Sequence, residues 1–185
     1  MKKKIFYTLA LLLLVVANAV ALAEDSNYHI GPGDALEISV WGDESLGRQV
    51  IVLPDGVISF PLIGDIDVTN LTVTDLRKVV TEKISEYVPD AAVTVMVLET
   101  NSLRAYVIGK VHRPGEFPIT METSVMQILS MAGGLTPFAS RKKILILRHN
   151  SSETVSIPFN YWQVVRAENI EQNIVLIRGD VVVVP

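Results

Sequence analysis

Short runs of strict apolar–polar alternation, each closed by a turn rich in glycine, proline or asparagine, recur along most of this chain and restrict it to β-rich folds with few helices. The clearest is Leu36-Glu37-Ile38-Ser39-Val40-Trp41, which follows the turn Gly31-Pro32-Gly33-Asp34 and predicts a half-buried strand with Leu36, Ile38 and Val40 inward. Gln49 to Leu53, the turn Pro54-Asp55-Gly56 and Val57 to Phe60 predict a hairpin, because Asp-Gly tolerates the positive φ of a tight turn. Ile63-Gly64-Asp65-Ile66 adds an extended piece.

The period changes to 3.6 residues between Thr72 and Val88, where Leu76, Val79, Val80, Ile84 and Tyr87 share one side. This predicts an amphipathic helix capped by Thr72, with Asp75 at the positive end of its dipole and Pro89-Asp90 stopping it. Val93, Val95 and Val97 then resume a strand. After the polar break Asn101-Ser102, a strand from Arg104 to Val111 and Glu116 to Ile119 predict a hairpin about His112-Arg113-Pro114-Gly115. Ser124 and Gln127 have the spacing of a capping box, and Gly133-Gly134 ends the second helix. Strands are predicted at Ile144 to Arg148 and Thr154 to Pro158 about Asn150-Ser151-Ser152, with a short helix from Tyr161 to Ala167 and a closing strand at Val181 to Val184. The fold class expected is α+β: two small β-rich domains, the first with one helix, over 24–100, the second a β-grasp over 101–185.

The first 23 residues differ from the rest. Lys2, Lys3 and Lys4 precede an apolar run and the small-residue stretch ending Ala21-Leu22-Ala23, the pattern of a cleaved secretory signal peptide over 1–23; an uncleaved anchor is the rival reading. Export leaves 13 of the 16 basic residues against 20 acidic ones, a formal charge of −7, which argues against nucleic acid as a partner. The chain has no cysteine, so disulfides, thiolate metal sites, thiol catalysis and a lipidated N-terminal cysteine are excluded.

No nucleophile elbow, metalloprotease helix motif or phosphate loop is present, and His29, His112 and His149 stand in separate contexts. The acid pairs Asp43-Glu44 and Asp65/Asp67 have the chemistry of a glycosidase, but carboxylates in polar loops of an acidic chain read first as solvated groups. No catalytic, metal or cofactor site is expected. Gly31-Pro32-Gly33 reads as a structural turn, since Asp34 opposes its use as an anion cradle. Trp41, Tyr161 and Trp162 offer flat apolar area to a sugar or another subunit, and packing in a core or interface is their first reading. The candidate ligand-binding residues are Lys110, His112 and Arg113 near the hairpin tip and Arg141, Lys142 and Lys143 in a basic loop, because exposed charged loop positions carry recognition more often than strand interiors.

Two stretches are more specific. Tyr28 to Trp41, with Pro54-Asp55-Gly56-Val57-Ile58-Ser59-Phe60-Pro61-Leu62-Ile63-Gly64, resembles the start of the polysaccharide biosynthesis/export family. Val107 to Phe117, Leu129 to Thr136 and the closing Arg178-Gly179-Asp180-Val181-Val182-Val183-Val184-Pro185 resemble that family's soluble-ligand-binding β-grasp (SLBB) domain. The resemblance implies a non-enzymatic, ring-forming protein at the periplasmic face of the outer membrane that passes capsular or exopolysaccharide outward with an inner-membrane copolymerase. Its alternative is a periplasmic glycan-binding or regulatory module that docks on the copolymerase without forming a conduit. Longer relatives carry a lipidated cysteine and continue to a pore-lining helix; the absence of both here leads to the expectation of a separate outer-membrane β-barrel partner.

Overall fold

The computed structural model describes residues 28–150 and 153–185. The predicted signal peptide and the centre of the Asn150-Ser151-Ser152 turn lie outside the described residues.

The first unit is built on strand β1 (Ala35–Val40), flanked in one antiparallel sheet by β2 (Asp43–Ile51) and β5 (Val93–Glu99). A separate ribbon pairs β3 (Val57–Phe60) with β4 (Gly64–Asp67), and helix α1 (Val73–Ser85) connects it back to β5. The alternation does what it predicted: Leu36, Ile38, Val40, Val93 and Val95 are buried on one sheet face. They pack with Ile58, Phe60 and Ile66 of the ribbon and Leu76, Val80 and Ile84 of α1 in one cluster. Each fully buried side chain of that size contributes roughly 1.5–3 kcal/mol, so a 13-residue helix of ordinary propensity is held by its packed stripe. Thr72 caps it by accepting the Asp75 N–H at 3.2 Å.

The hairpin expected across Pro54-Asp55-Gly56 is corrected. The chain does turn there, with Gly56 at φ 82° and its N–H on the Leu53 carbonyl, yet β2 pairs with β1 and β3 with β4. The two-residue link Trp41-Gly42, with Gly42 at φ 84°, closes the tighter hairpin and gives β1 a partner on that edge. Trp41 at this tip is 87% exposed and belongs to no core.

The second unit is a five-stranded sheet in the order β7-β6-β10-β8-β9: β6 (Arg104–Gly109), β7 (Gly115–Pro118), β8 (Ile144–His149), β9 (Thr154–Phe159) and β10 (Val181–Val184). The last strand enters the centre, parallel to β6 and antiparallel to β8. Helix α2 (Val125–Met131) covers one face, its start fixed by Gln127, whose side chain accepts the Ser124 N–H at 2.7 Å. Helix α3 (Tyr161–Val165) and a 3-10 turn, Ile170–Gln172, close the side. Ala105, Val107, Ile144, Ile146, Val182 and Val184 meet Val125, Ile128, Leu129 and Ala132 in a second core that shares no member with the first. This is the arrangement expected of a β-grasp, and the fold is α+β.

The opposite face of this sheet is also apolar. Register places Ile108, Val183, Leu145 and Pro158 in one row and Tyr106, Val181 and Leu147 in the next, all outside the second core. Tyr106 and Ile108 are 39% and 47% exposed.

Candidate functional site

The basic loop and helix α3 form the most chemically distinctive surface. The Lys143 N–H donates to Ser140 O at 2.9 Å, Ser140 N–H to Pro185 O at 2.7 Å, and Tyr161 N–H to Arg141 O at 2.9 Å, so the loop is pinned both to the chain end and to α3. Between them lies an open groove of about 490 Å³ walled by Ala139, Ser140, Arg141, Lys142, Lys143 and Trp162. The guanidinium of Arg141 sits 5.5 Å from the centre of the Trp162 ring and that of Arg166 sits 5.2 Å from it. Cations held over an indole in this way are pre-positioned by its ring quadrupole.

The six candidate residues divide. Arg141, Lys142 and Lys143 line the groove. Lys110 reaches the same end of the sheet through its backbone, accepting Thr136 N–H at 2.9 Å and donating to Val184 O at 2.8 Å. His112 and Arg113 serve the end of α2: His112 Nδ1 is 3.2 Å from Gly134 O, and Arg113 Nη2 donates to Met131 O at 2.8 Å. Trp162 is 38% exposed and outside both cores, its ring under the guanidiniums of Arg141 and Arg166; Arg166 is not among the sequence candidates, although its spacing of four from Trp162 on a helix is a readable signal.

The turn Gly31-Pro32-Gly33 holds an anion, and it is the protein's own. The buried Asp34 carboxylate accepts Gly31 N–H at 2.7 Å, Ser102 N–H at 2.8 Å, the Ser102 hydroxyl at 2.9 Å and the Tyr28 hydroxyl. Burial first, and then the hydrogen bond to Asp34, push the Tyr28 hydroxyl well above its ordinary pKa. Asp180 repeats the device in the second unit, accepting Ile177 N–H at 2.9 Å and a two-pronged bond from Arg148 at 3.0 and 2.7 Å. Asp67, considered for glycosidase chemistry, is held below the ordinary carboxylate range by hydrogen bonds from Thr69, the direction opposite to that of a general acid.

Residues 22–98 match the family described as polysaccharide biosynthesis/export protein, and residues 103–184 match the SLBB domain. The chain carries a polysaccharide biosynthesis/export domain followed by an SLBB domain. It is 30% identical to the EPS I polysaccharide export outer membrane protein EpsA of Ralstonia nicotianae over 87% of its own length and 52% of that protein's. It is 30% identical to the polysialic acid transport protein KpsD of Escherichia coli, over 60% of this chain and 20% of that one. It is 26% identical to the capsule polysaccharide export outer membrane protein CtrA of Neisseria meningitidis, over 81% of this chain and 42% of that one. The chain thus spans about half the length, or less, of these relatives. Among the described residues no helix is long and apolar enough to cross a membrane.

Proposed function

We propose that this chain is a non-enzymatic component of a capsule or exopolysaccharide export system, assembling as a homo-oligomeric ring or conduit at the periplasmic face of the outer membrane. The observation that carries the reading is the tandem of an export domain and an SLBB domain, matched over 22–98 and 103–184, in a chain whose second sheet leaves one apolar face uncovered. Uncovered apolar area of this kind marks association surfaces. A ring needs a surface on each copy that meets a different surface on the next, and two units locked in one chain supply such a pair. An inner-membrane copolymerase and an outer-membrane β-barrel complete the proposed machine.

The test is the polysaccharide of a strain lacking the gene, with and without a complementing copy, measured at the surface, in the medium and in the periplasm. Loss of surface polymer with periplasmic accumulation, reversed by complementation, is the expected result. Unchanged surface and periplasmic polymer, with no paralogue expressed, would overturn the reading. The groove beside Trp162 favours a second reading, a glycan-binding module that docks on the copolymerase as a monomer; a monomeric chain in sedimentation, binding short oligosaccharides, is its signature.

A further inference from the structure

Charge is divided sharply between the two units. Residues 28–100 carry four basic and twelve acidic side chains, whereas residues 101–185 carry nine and six. Four of the nine cations of the second unit are engaged through their side chains, two by carboxylates and two by backbone carbonyls: Arg104 pairs with Glu116, Arg148 with Asp180, Arg113 with Met131 O and Arg178 with His29 O. Arg141, Lys142, Lys143 and Arg166 are different. Among the described residues no carboxylate forms a salt bridge with any of them, and all four gather about one indole and one groove.

Four like charges crowded without counter-charge repel one another, and the fold accepts that cost in a region pinned by backbone hydrogen bonds at Ser140, Lys143 and Tyr161. Nothing in the packing of the second core requires these cations, since none of them belongs to it. A polyanionic ligand would supply the counter-charge that solvent ions otherwise provide. Two guanidiniums fixed on the indole of Trp162 present planar forks already ordered for carboxylate or phosphate oxygens, while Lys142 and Lys143 stand as point charges further along the groove.

We propose that this groove binds an acidic polysaccharide, with Arg141 and Arg166 gripping the anionic group of one sugar and Lys142 and Lys143 attracting the next. The proposal rests on the export reading for its class of polymer, and on the groove alone for the requirement of negative charge. A neutral glycan would leave the four cations uncompensated. An anionic lipid surface is the other partner a basic patch attracts, and it would use Phe138, 84% exposed on the same loop, as a wedge and the lysines as point charges, with no need for guanidiniums ordered on an indole.

The experiment is calorimetric titration of the full chain at low ionic strength with an oligogalacturonate, a neutral dextran oligomer of matched length, and phosphatidylglycerol vesicles. The expected result is binding of the oligogalacturonate, weakened by added salt and by about tenfold or more in Arg141→Ala/Arg166→Ala, with no binding of dextran. Arg77→Ala/Lys78→Ala on α1 removes the same charge elsewhere and is expected to bind as the parent does, and matched melting temperatures show that both variants fold. Equal binding of dextran, no binding of oligogalacturonate, equal loss in the α1 variant, or vesicle binding that depends on Phe138 in place of polymer binding would each overturn the proposal. The deletion strain separates this from the export reading: lost surface polymer with no polyanion binding removes the groove and keeps the role, whereas polyanion binding with export unchanged does the reverse.

Discussion

Asp34 and Ser102 lie 68 positions apart and meet through two hydrogen bonds, the Ser102 N–H and hydroxyl both donating to the Asp34 carboxylate, at 2.8 and 2.9 Å. The contact ties the turn that opens the first unit to the start of the second, and Arg178 reinforces it from the far end of the chain by donating to His29 O at 2.8 Å. The guanidinium lies directly over Gly31, where a Cβ would stand 1.8 Å from Arg178 Nη1. Two units with separate cores are thereby held by polar contacts, a requirement for any assembly whose geometry depends on their relative orientation.

Asp34→Ala removes the acceptor for two buried backbone N–H groups and two hydroxyls. Each donor left without a partner costs about 1–3 kcal/mol, and partial access of water to the junction brings the expected total to about 3 kcal/mol. Urea unfolding reads the loss. Hydrogen exchange should show the Ser102 amide unprotected while amides of β8 and β10 stay protected; exchange unchanged at Ser102 would contradict the role given to Asp34.

Tyr28 makes the same junction sensitive to alkali. Its folded-state pKa is raised above the unfolded value near 10, by burial first and by Asp34 second. The neutral hydroxyl is therefore favoured by folding: its contribution is complete below pH about 10 and is lost as pH rises from there toward the folded value. The wild type should exceed Tyr28→Phe by about 1–2 kcal/mol at pH 8, the worth of a hydrogen bond to a carboxylate, and the gap should shrink by pH 11. Paired urea titrations at the two pH values check it, because the other titrating groups are common to both proteins.

The elements were legible in the sequence because each depends on neighbours a few residues away. The period-2 face of Leu36, Ile38 and Val40, the Thr72 cap and the Gly133-Gly134 stop are local signals, and all three stand in the structure. Pairings were less legible. The Asp-Gly turn at 55–56 is real, but which strand β2 joins depends on the competing turn at Trp41-Gly42 and on the whole first core. The central, parallel position of β10 rests on contacts with β6, more than 70 residues earlier, and no local pattern encodes it. At the candidate site the basic loop is visible as a charge run, whereas Arg166 stands out only on the helical face it shares with Trp162, four residues before it. The bond from Asp34 to Ser102 had no signal in one sequence, since a carboxylate's partner at that separation is a property of the packed domains.

Gly109 is the most demanding position in the second sheet. It has φ 98°, and a Cβ there would lie 2.0 Å from the Val184 carbonyl oxygen, a backbone atom that cannot move without breaking the β6–β10 ladder. Gly109→Ala should cost about 2–4 kcal/mol, or leave the protein unfolded at 37 °C. Gly31→Ala makes the instructive contrast, because its obstacle is the mobile end of Arg178 and not backbone; a loss well under half as large is expected by thermal melting. Equal losses would mean that Arg178 is as fixed as the Val184 carbonyl.

The uncovered face of the second sheet yields the last prediction. Ile108 and Tyr106 are exposed, so replacing them touches neither core. Ile108→Lys/Tyr106→Lys should therefore change monomer stability by no more than about 1 kcal/mol. If the face is where one copy meets the next, two ammonium groups in an apolar contact should weaken assembly by about tenfold or more, because charges buried without partners are costly at the centre of an interface. Sedimentation velocity across a concentration series reads the association, and complementation of the deletion strain reads the function. A variant that folds, sediments as a protomer and fails to restore surface polymer ties assembly to export through this sheet. One that assembles and complements as the parent does would remove the face from the interface and direct the search to the exposed Trp41 tip of the first unit.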